Sequence, residues 1–560
     1  MKSTLDFHPK FLASLASYSK EKFTKDLMAG IIVGIVALPL AIAFGIASGV
    51  SPEKGLITAI IGGFIVSFLG GNSVQIGGPT GAFIVIVYGI IQAYGLEGLA
   101  IATFMAGLIL VLMGCFRLGT IIKFIPYPIV VGFTSGIALT IFATQIKDLL
   151  GLSMDSVPAD FISKWVAYFQ HIETTNFWSL GIGILSILII ACTPRISNKI
   201  PGSLMAIILM TVLVYVLERL WGIEGIETIG DRFNISNEVP EPQALNINME
   251  TINQLLSPAF TIAVLGAIES LLSATVADGV TGDKTNSNTE LIAQGANIVV
   301  PFFGGIPVTG AIARTMTNIN NGGRTPIAGI IHAVVLLLIF LFLMPLIKLV
   351  PMSCLAGVLI VVSYNMSGWR TVRSLLKNPK SDVSVLIITF LLTVIFNLTI
   401  AIEIGLLLAV VLFLRRMTET TQISVLHDEL DIATGTESTT HEVLKVAKGV
   451  EVYEIEGPFF FGVATKFDEL MRSMADRPLV RIIRMRKVPF IDSTAIHNLE
   501  ILITSSQKEK IHVILSGVNP TVHATLKKAN IDRLIGDDHI CDHITKAVAK
   551  ANEFVAEMKK

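Results

Sequence analysis

The sequence predicts an all-α polytopic membrane protein followed by a small α/β domain. Of the 560 residues, 52% are hydrophobic and 15% are charged, whereas soluble domains carry about 25% charged residues. Long stretches such as 29–50 and 325–346 contain no charge, and a membrane-spanning helix needs roughly 20 mostly apolar residues. The alternative is a very large soluble helical protein, whose helices would each show a polar face. After Arg416, strand-like and helix-like segments alternate, which indicates the α/β domain.

The distribution of charge predicts the domain limits and the orientation. Residues 1–24 form a polar N-terminal segment, 25–416 the transmembrane domain, 417–442 a linker and 443–560 the C-terminal domain. Basic residues flank the first span, whereas the segment 221–250 is mostly acidic. By the positive-inside rule, both termini lie in the cytoplasm and the number of spans is even. We expect a multi-pass protein of the bacterial inner (plasma) membrane without a removable signal peptide.

Two interrupted segments form an internal repeat. Pro79-Thr80-Gly81-Ala82 recurs as Pro307-Val308-Thr309-Gly310-Ala311, and a Phe-x-Gly-Gly sequence precedes each of them. Glycine and proline stop one helix and start the next, so each segment is typical of a half-helix that begins at membrane depth. The free N–H groups and the positive end of such a helix suit an anion. The alternative is close helix packing through small residues.

Three polar side chains lie inside apolar spans. Arg314 falls one turn into the second half-helix, predicted over 309–318, and its planar guanidinium suits a carboxylate or an oxyanion. The alternative role is a structural salt bridge. Glu269 lies in the otherwise uncharged span 260–276; it could carry a proton, coordinate sodium or pair with Arg314. Ser273, one turn further, is a possible second ligand of the coupling ion.

Several function classes find no support in the sequence. The phosphate-binding pattern GxxxxGK[ST] is absent, which argues against ATP-driven transport. The four cysteines show no CxxC spacing, so neither a metal site nor a disulfide framework is expected. There is no nucleophile elbow and no basic stripe for nucleic acid. We therefore expect no enzyme activity and no cofactor beyond a coupling proton or sodium ion.

The motifs together resemble the sulfate permease (SulP) family. They are Ala37-Leu38-Pro39-Leu40-Ala41, Gly78-Pro79-Thr80-Gly81-Ala82, Gly132-Phe133-Thr134-Ser135-Gly136, Leu265-Gly266-Ala267-Ile268-Glu269-Ser270-Leu271-Leu272 and Pro301-Phe302-Phe303-Gly304-Gly305-Ile306-Pro307. The C-terminal domain resembles a STAS domain, with Ile491-Asp492-Ser493-Thr494-Ala495 at a loop-to-helix position. The resemblance implies 14 spans in two inverted repeats of seven, core and gate domains, a homodimer, and an anionic substrate such as sulfate, bicarbonate, chloride or a dicarboxylate.

The resemblance also implies site residues. The anion site of the family falls on the backbone of Thr80, Gly81 and Ala82 and of Thr309, Gly310 and Ala311, with Arg314 at the position of an arginine in prestin-like members. Glu269 occupies a position where sodium–bicarbonate symporters have aspartate, and Ser273 one where they have threonine. This departure argues against sodium coupling, and the pattern is more similar to DauA-like, proton-coupled dicarboxylate permeases.

The sequence thus predicts secondary active anion transport, by proton-coupled symport. A passive anion channel or exchanger, and a membrane sensor or scaffold that works through the STAS domain, remain alternatives. A nucleobase permease shares the repeat plan, but the STAS domain and Arg314 argue against it. A cytoplasmic protein is a possible partner of the STAS domain. Ser493 or Thr494 could be phosphorylated there, or could simply cap the helix.

Overall fold

The computed structural model divides the chain into two compact units, Met1–Leu407 and Leu408–Lys560. It describes residues 7–16, 18–120, 126–154, 157–158, 160–196, 201–223, 225–236, 238, 240–396, 398–426, 429–431, 443–463, 467 and 478–558. The first unit is helical and contains the two interrupted segments. The second contains a five-stranded sheet.

The helices of the first unit follow one another with short connections. In chain order they are α1 (Lys10–Leu15), α2 (Lys20–Ala47), α3 (Pro52–Ile57), α4 (Gly63–Leu69), α5 (Ile84–Cys115), α6 (Tyr127–Leu150), α7 (Phe161–Gln170), α8 (Phe177–Ile196), α9 (Gly202–Trp221), α10 (Ile229–Arg232), α11 (Met249–Thr281), α12 (Ser287–Ala293), α13 (Ala296–Val299), α14 (Ile312–Asn320), α15 (Ile327–Ile347), α16 (Met352–Met366), α17 (Trp369–Leu375) and α18 (Lys380–Ile395). Helix α19 (Leu398–Thr420) runs from the first unit into the second.

Within the described residues, nine helical segments are long and apolar enough to span a membrane. One of them, Gly81–Cys115, has 35 residues and as a straight helix would be about 50 Å long, against about 30 Å for the hydrocarbon core. Gly95 breaks it with φ 70° and ψ −173°, so this segment is two helices joined by a turn. The polytopic prediction is confirmed, while the number of 14 spans stays a prediction.

Local chemistry explains where the long helices begin and end. Side-chain caps open several of them: Ser19 accepts a hydrogen bond from the Lys22 N–H at the start of α2, and Asn248 accepts one from the Thr251 N–H at the start of α11. Helix α11 ends at Gly282, where φ is 76°, a conformation that glycine adopts without a steric penalty. Helix α2 packs against α15, α5 against α11, and α6 against both α16 and α18.

The two interrupted segments meet inside this bundle. Strand β1 (Gly77–Gly78) pairs with β2 (Thr309–Gly310) in antiparallel fashion, with Gly77 opposite Gly310 and Gly78 opposite Thr309. We call this pair the crossing. It satisfies backbone groups that would otherwise be unpaired in an apolar interior.

The C-terminal unit is a mixed sheet in the order β3-β6-β7-β8-β9. Strand β3 (Gln422–Leu426) is antiparallel to β6 (Val450–Glu456), and the parallel strands β7 (Val480–Lys487), β8 (His512–Ser516) and β9 (Ile540–Cys541) follow. A separate hairpin joins β4 (Glu429–Asp431) and β5 (Val443–Lys445). The helices are α20 (Ser493–Lys508), α21 (Pro520–Lys528), α22 (Ile531–Ile535) and α23 (Ile544–Met558).

The structure differs from the sequence interpretation of this unit in two places. Residues 422–426 fall in the predicted linker 417–442 but form the edge strand of the sheet, because their partner β6 is distant in sequence. The cap of α20 is Asp492, which accepts the Ala495 N–H, while Ser493 and Thr494 are exposed in the first turn. The sequence also predicts a helix over 466–474, and these residues, apart from Phe467, lie outside the described part of the chain.

Candidate anion-binding site

A helix begins immediately after each strand of the crossing. Thr80 is extended (φ −125°, ψ 157°) and leads into a 3₁₀ turn, Gly81–Phe83, that continues as α5. Ala311 is also extended (φ −109°, ψ 115°) and leads directly into α14. Since β1 and β2 are paired, the two helix N-termini are neighbours in the interior of the bundle.

These helix starts present backbone donors. The Phe83 N–H donates to the Thr80 carbonyl at 3.2 Å, and the Thr315 N–H donates to the Ala311 carbonyl at 2.9 Å. The N–H groups of Gly81 and Ala82, and those of Ile312 and Ala313, come earlier in the chain than these first helical donors. They belong to the N–H groups at a helix start that have no acceptor within their own helix. Each helix end carries the equivalent of about half a positive charge, so the crossing concentrates positive potential.

The side chains of the predicted site residues differ in whether they form hydrogen bonds within the protein. Thr80, Ala82, Thr309 and Ala311 are all buried. The Thr309 hydroxyl donates to the Gly266 carbonyl at 2.8 Å and so ties β2 to α11. The Thr80 hydroxyl has no hydrogen-bond partner in the described part of the chain, which leaves it available to a ligand.

Arg314 lies against the opposite strand of the crossing. Its side chain is 1% exposed, and a Cβ placed on Gly78 would lie 1.8 Å from Nη1. Gly78, with φ 157°, therefore gives the guanidinium its space. Among the residues that the structure describes, neither Nη1 nor Nη2 has a hydrogen-bond partner. The salt bridge considered as an alternative role for Arg314 is not formed with any described carboxylate.

Glu269 and Ser273 lie on α11, which packs against both helices of the crossing. The Glu269 side chain is half-buried. The Ser273 hydroxyl donates to Thr315 Oγ1 at 3.3 Å, and Thr315 Oγ1 also accepts the Ile76 N–H at 3.1 Å. Ser273 is thus linked to the crossing. That it binds the coupling ion together with Glu269 stays a prediction.

A fully buried carboxylate, Glu290 on α12, was missed by the sequence interpretation. Oε1 accepts hydrogen bonds from Gln75 Nε2 (3.1 Å), Ser270 Oγ (3.1 Å) and Gln294 Nε2 (3.0 Å), and Oε2 accepts the Gly71 N–H at 3.0 Å. Gln75 in turn covers Gly310, where a Cβ would lie 1.6 Å from its Nε2. This network fixes the crossing from one side. The uncharged run that follows Glu290, up to Arg314, was the signal that could have found it.

His332 on α15 was also missed. It is completely buried, and within the described ranges its ring interacts with the backbone of Gly329, one turn earlier on α15, and with no other hydrogen-bonding group. A Cβ on Gly63 would lie 3.3 Å from its Cε1 and 3.1 Å from the Gly77 carbonyl oxygen, so His332 lies beside β1. The signal was a histidine within the apolar run 325–346, which has no other titratable residue.

Helices α6 and α16 cover the crossing from another direction. A Cβ on Gly81 would lie 2.9 Å from Met366 Sδ and 3.4 Å from Ile141 Cδ1. A cavity of about 560 Å³ begins at the first turn of α5, which is within the size range of small-molecule sites. It is lined among others by Ile84, Val85, Tyr88, Thr140, Thr144 and Lys164.

Broken helices that meet inside a polytopic bundle, one from each half of the chain, define a membrane transporter built from structural repeats. Comparison with known proteins agrees with this class. The chain belongs to the sulfate permease family, whose model matches residues 23–389, and the STAS domain model matches residues 443–551. The members of this family are anion transporters rather than enzymes.

Relatives match along almost the whole chain. The putative sulfate transporter YvdB of Bacillus subtilis (strain 168) is 41% identical over 539 residues, covering 95% of this chain and 99% of that protein. The bicarbonate transporter BicA of Picosynechococcus sp. is 28% identical over 527 residues, covering 92% of each. The substrates in these names are those given for the relatives.

Solved structures share the fold. The murine Slc26a9 anion transporter in the inward-facing state gives a TM-score of 0.87 at 18% identity, covering 97% of this chain and 94% of that one. The transmembrane domain of a cyanobacterial BicA gives 0.62 at 29% identity, covering 70% of this chain and 98% of that one. The family, the helical transmembrane core and the STAS domain predicted from the motifs are therefore confirmed. The similarity to DauA-like permeases stays a prediction.

Proposed function

We propose that this protein is a secondary active transporter that carries a small anion, of the sulfate, bicarbonate or C4-dicarboxylate class, across the bacterial inner membrane together with protons. The observation that carries the proposal is Arg314, a buried guanidinium without a described partner, placed against the crossing. A buried cation is costly unless a partner neutralises it. An anion bound at the two helix ends would be such a partner.

Backbone and side-chain donors would have different roles in binding the anion. The N–H groups at Gly81, Ala82, Ile312 and Ala313 would bind oxygen atoms from two sides, and the Thr80 hydroxyl would add a further donor. Arg314 would supply the full positive charge and a planar pair of donors, which match a carboxylate or sulfate edge. Thr309 would act mainly by holding β2 against α11.

Proton coupling rests on Glu269, which lies on α11 between Gly266, the acceptor of the Thr309 hydroxyl, and Ser273, which is hydrogen-bonded to Thr315. A charged Glu269 would repel the substrate, and a proton bound to it would remove that repulsion. Substrate and proton would then bind more tightly together than separately. A sodium ion at Glu269 is the competing proposal, and proton uptake measured without sodium separates the two.

Assembly and location complete the proposal. Both termini would lie in the cytoplasm, and the transporter would form a homodimer. The STAS domain would bind a cytoplasmic protein partner. The exposed first turn of α20, with Ser493 and Thr494 next to the Asp492 cap, offers a place where phosphorylation would add charge.

The test is uptake of radiolabelled sulfate, bicarbonate, fumarate, succinate and aspartate into proteoliposomes. We expect one of these classes to be taken up and to be competed by its unlabelled form. Arg314→Ala should lose most of this uptake. The exposed arginine of α9, in the variant Arg219→Ala, is the matched control and should retain it. If no anion is taken up by the folded wild-type protein, the proposed function is wrong.

A further inference from the structure

Two buried, positively chargeable side chains lie close to the glycine strand β1. Arg314 from α14 lies against Gly78, and His332 from α15 lies beside Gly63 and the Gly77 carbonyl. In the described part of the protein, neither Nη1 nor Nη2 of Arg314 has a hydrogen-bond partner, and the His332 ring interacts with the backbone of Gly329, one turn earlier on its own helix, which leaves one ring nitrogen unpaired. Buried polar groups are nearly always paired, so this concentration of unpaired groups in one place requires an explanation.

The surroundings of His332 leave Arg314 as its charged neighbour. The elements packed on α15 are α2, α4, the π-helical turn Thr58–Gly62 and, more weakly, α3. Residues 27–47 of α2 and the stretch 58–69 contain no titratable side chain. Two glycines of α2 contact this part of α15: a Cβ on Gly30 would lie 2.6 Å from the Ala328 carbonyl oxygen, and a Cβ on Gly34 would lie 3.4 Å from the His332 carbonyl oxygen.

The charged residues of the elements packed on α15 lie towards its ends, and the buried Glu290 of α12 is held by Gln75. Asp26 accepts the N–H groups of Arg324 and Thr325 just before α15 begins. Glu53 and Lys54 lie on α3, which follows the C-terminal end of α2, whereas His332 packs near the middle of α2. Arg314 is the charged group that acts electrostatically on His332.

We propose that His332 is a proton-binding residue whose occupancy is controlled through Arg314 by the transported anion. Without an anion, the guanidinium repels a second positive charge, and the imidazole stays neutral. An anion bound at the crossing offsets the guanidinium charge, and the free ring nitrogen of His332 can then take a proton from solvent. By reciprocity, the protonated state binds the anion more tightly by the same factor.

This inference rests on the proposed function, because it requires the anion to bind at Arg314. It adds a second proton-binding group, and it differs from the role of Glu269 in the sign of the charge. Protonation removes a negative charge at Glu269, whereas at His332 it adds a positive one. In both cases the bound anion and the proton stabilise each other. The variants Glu269→Gln and His332→Gln separate the two contributions.

The experiment measures protons taken up when the purified full-length protein binds sulfate or succinate in a weakly buffered dye solution. We expect the wild type to take up protons upon binding between about pH 5 and 8, the range in which histidine responds. His332→Gln should still bind the anion but take up fewer protons, keeping only the share that Glu269 contributes. The pH dependence of its affinity should shrink by about 5- to 150-fold, the usual size of such a coupling. His332→Asn is the second variant in case the first does not fold.

The control is His523→Gln, which changes an exposed histidine of the STAS domain and should behave as the wild type. A His332→Gln protein that binds the anion with undiminished proton uptake would overturn this inference alone. Wild-type binding without any proton uptake would overturn both this inference and the proton coupling proposed for Glu269. Failure of the wild type to bind either anion, or any other of the transport panel, would overturn the proposed function and this inference with it.

Discussion

Removal of the Arg314 side chain should weaken anion binding without destroying the crossing. The β1–β2 pairing and the helix N–H groups are backbone features, so Arg314→Ala leaves them in place. Each charge-assisted hydrogen bond that is lost is worth roughly 1.5–3 kcal/mol, and every 1.4 kcal/mol corresponds to about a tenfold change in affinity. Loss of one such bond therefore predicts an affinity lower by about tenfold to a hundredfold.

Two further variants sharpen this prediction. Arg314→Lys should recover only part of the affinity, because an ammonium lacks the planar pair of donors. Gly78→Ala should behave like Arg314→Ala, since the new methyl group would lie 1.8 Å from Nη1 and displace the guanidinium. Combining the two changes should then add little, because both remove the same interaction. The assay is equilibrium binding of the labelled substrate to purified protein. An Arg314→Ala protein with wild-type affinity would refute the reasoning.

Four other predictions follow from the same structure. Glu269→Gln should still exchange one anion for another but no longer accumulate it in response to a pH gradient; unchanged gradient-driven accumulation would exclude Glu269 as a coupling site. A single cysteine in place of Glu238, in a cysteine-free background, should react with an impermeant thiol reagent only from the periplasmic side; labelling from the cytoplasm alone would reverse the orientation. A chain ending after Arg416 should insert into the membrane but transport more slowly, and full-rate transport would show that the STAS domain is dispensable. Burial, with smaller effects of Lys550 and His512, lowers the pKa of His539. The neutral imidazole therefore contributes its full share to the stability of the STAS domain above about pH 6.5, and this share is lost on acidification. Thermal unfolding of His539→Gln should depend less on acid than that of the wild type, and an equal acid dependence would contradict this.

The interrupted segments could be predicted because glycine and proline act locally. Pro79 and Pro307, with the glycines around them, mark helix breaks in any apolar sequence, and an arginine one turn later is conspicuous. The first residue of the second half-helix was harder to predict. It was predicted over 309–318 but begins at Ile312, because Thr309 and Gly310 are taken up in pairing with β1.

The rest of the site depends on contacts between residues far apart in sequence. Glu290 meets Gln75 and Ser270 only after α4, α11 and α12 have packed. His332 gains significance only because β1 places Arg314 nearby. Neither residue stands in a local pattern that separates a binding role from a buried structural one. The same limit applies to strand β3, whose partner β6 begins at Val450.

The central claim is that a proton gradient drives anion uptake through the crossing. The most direct measurement is the time course of labelled anion inside proteoliposomes that hold a pH gradient, acidic outside, with the membrane potential clamped. The account predicts a transient accumulation above the external concentration, which a protonophore abolishes and Arg314→Ala lacks. Equilibration to the external concentration without accumulation, at the same rate with and without the gradient, would contradict it and indicate a passive pathway.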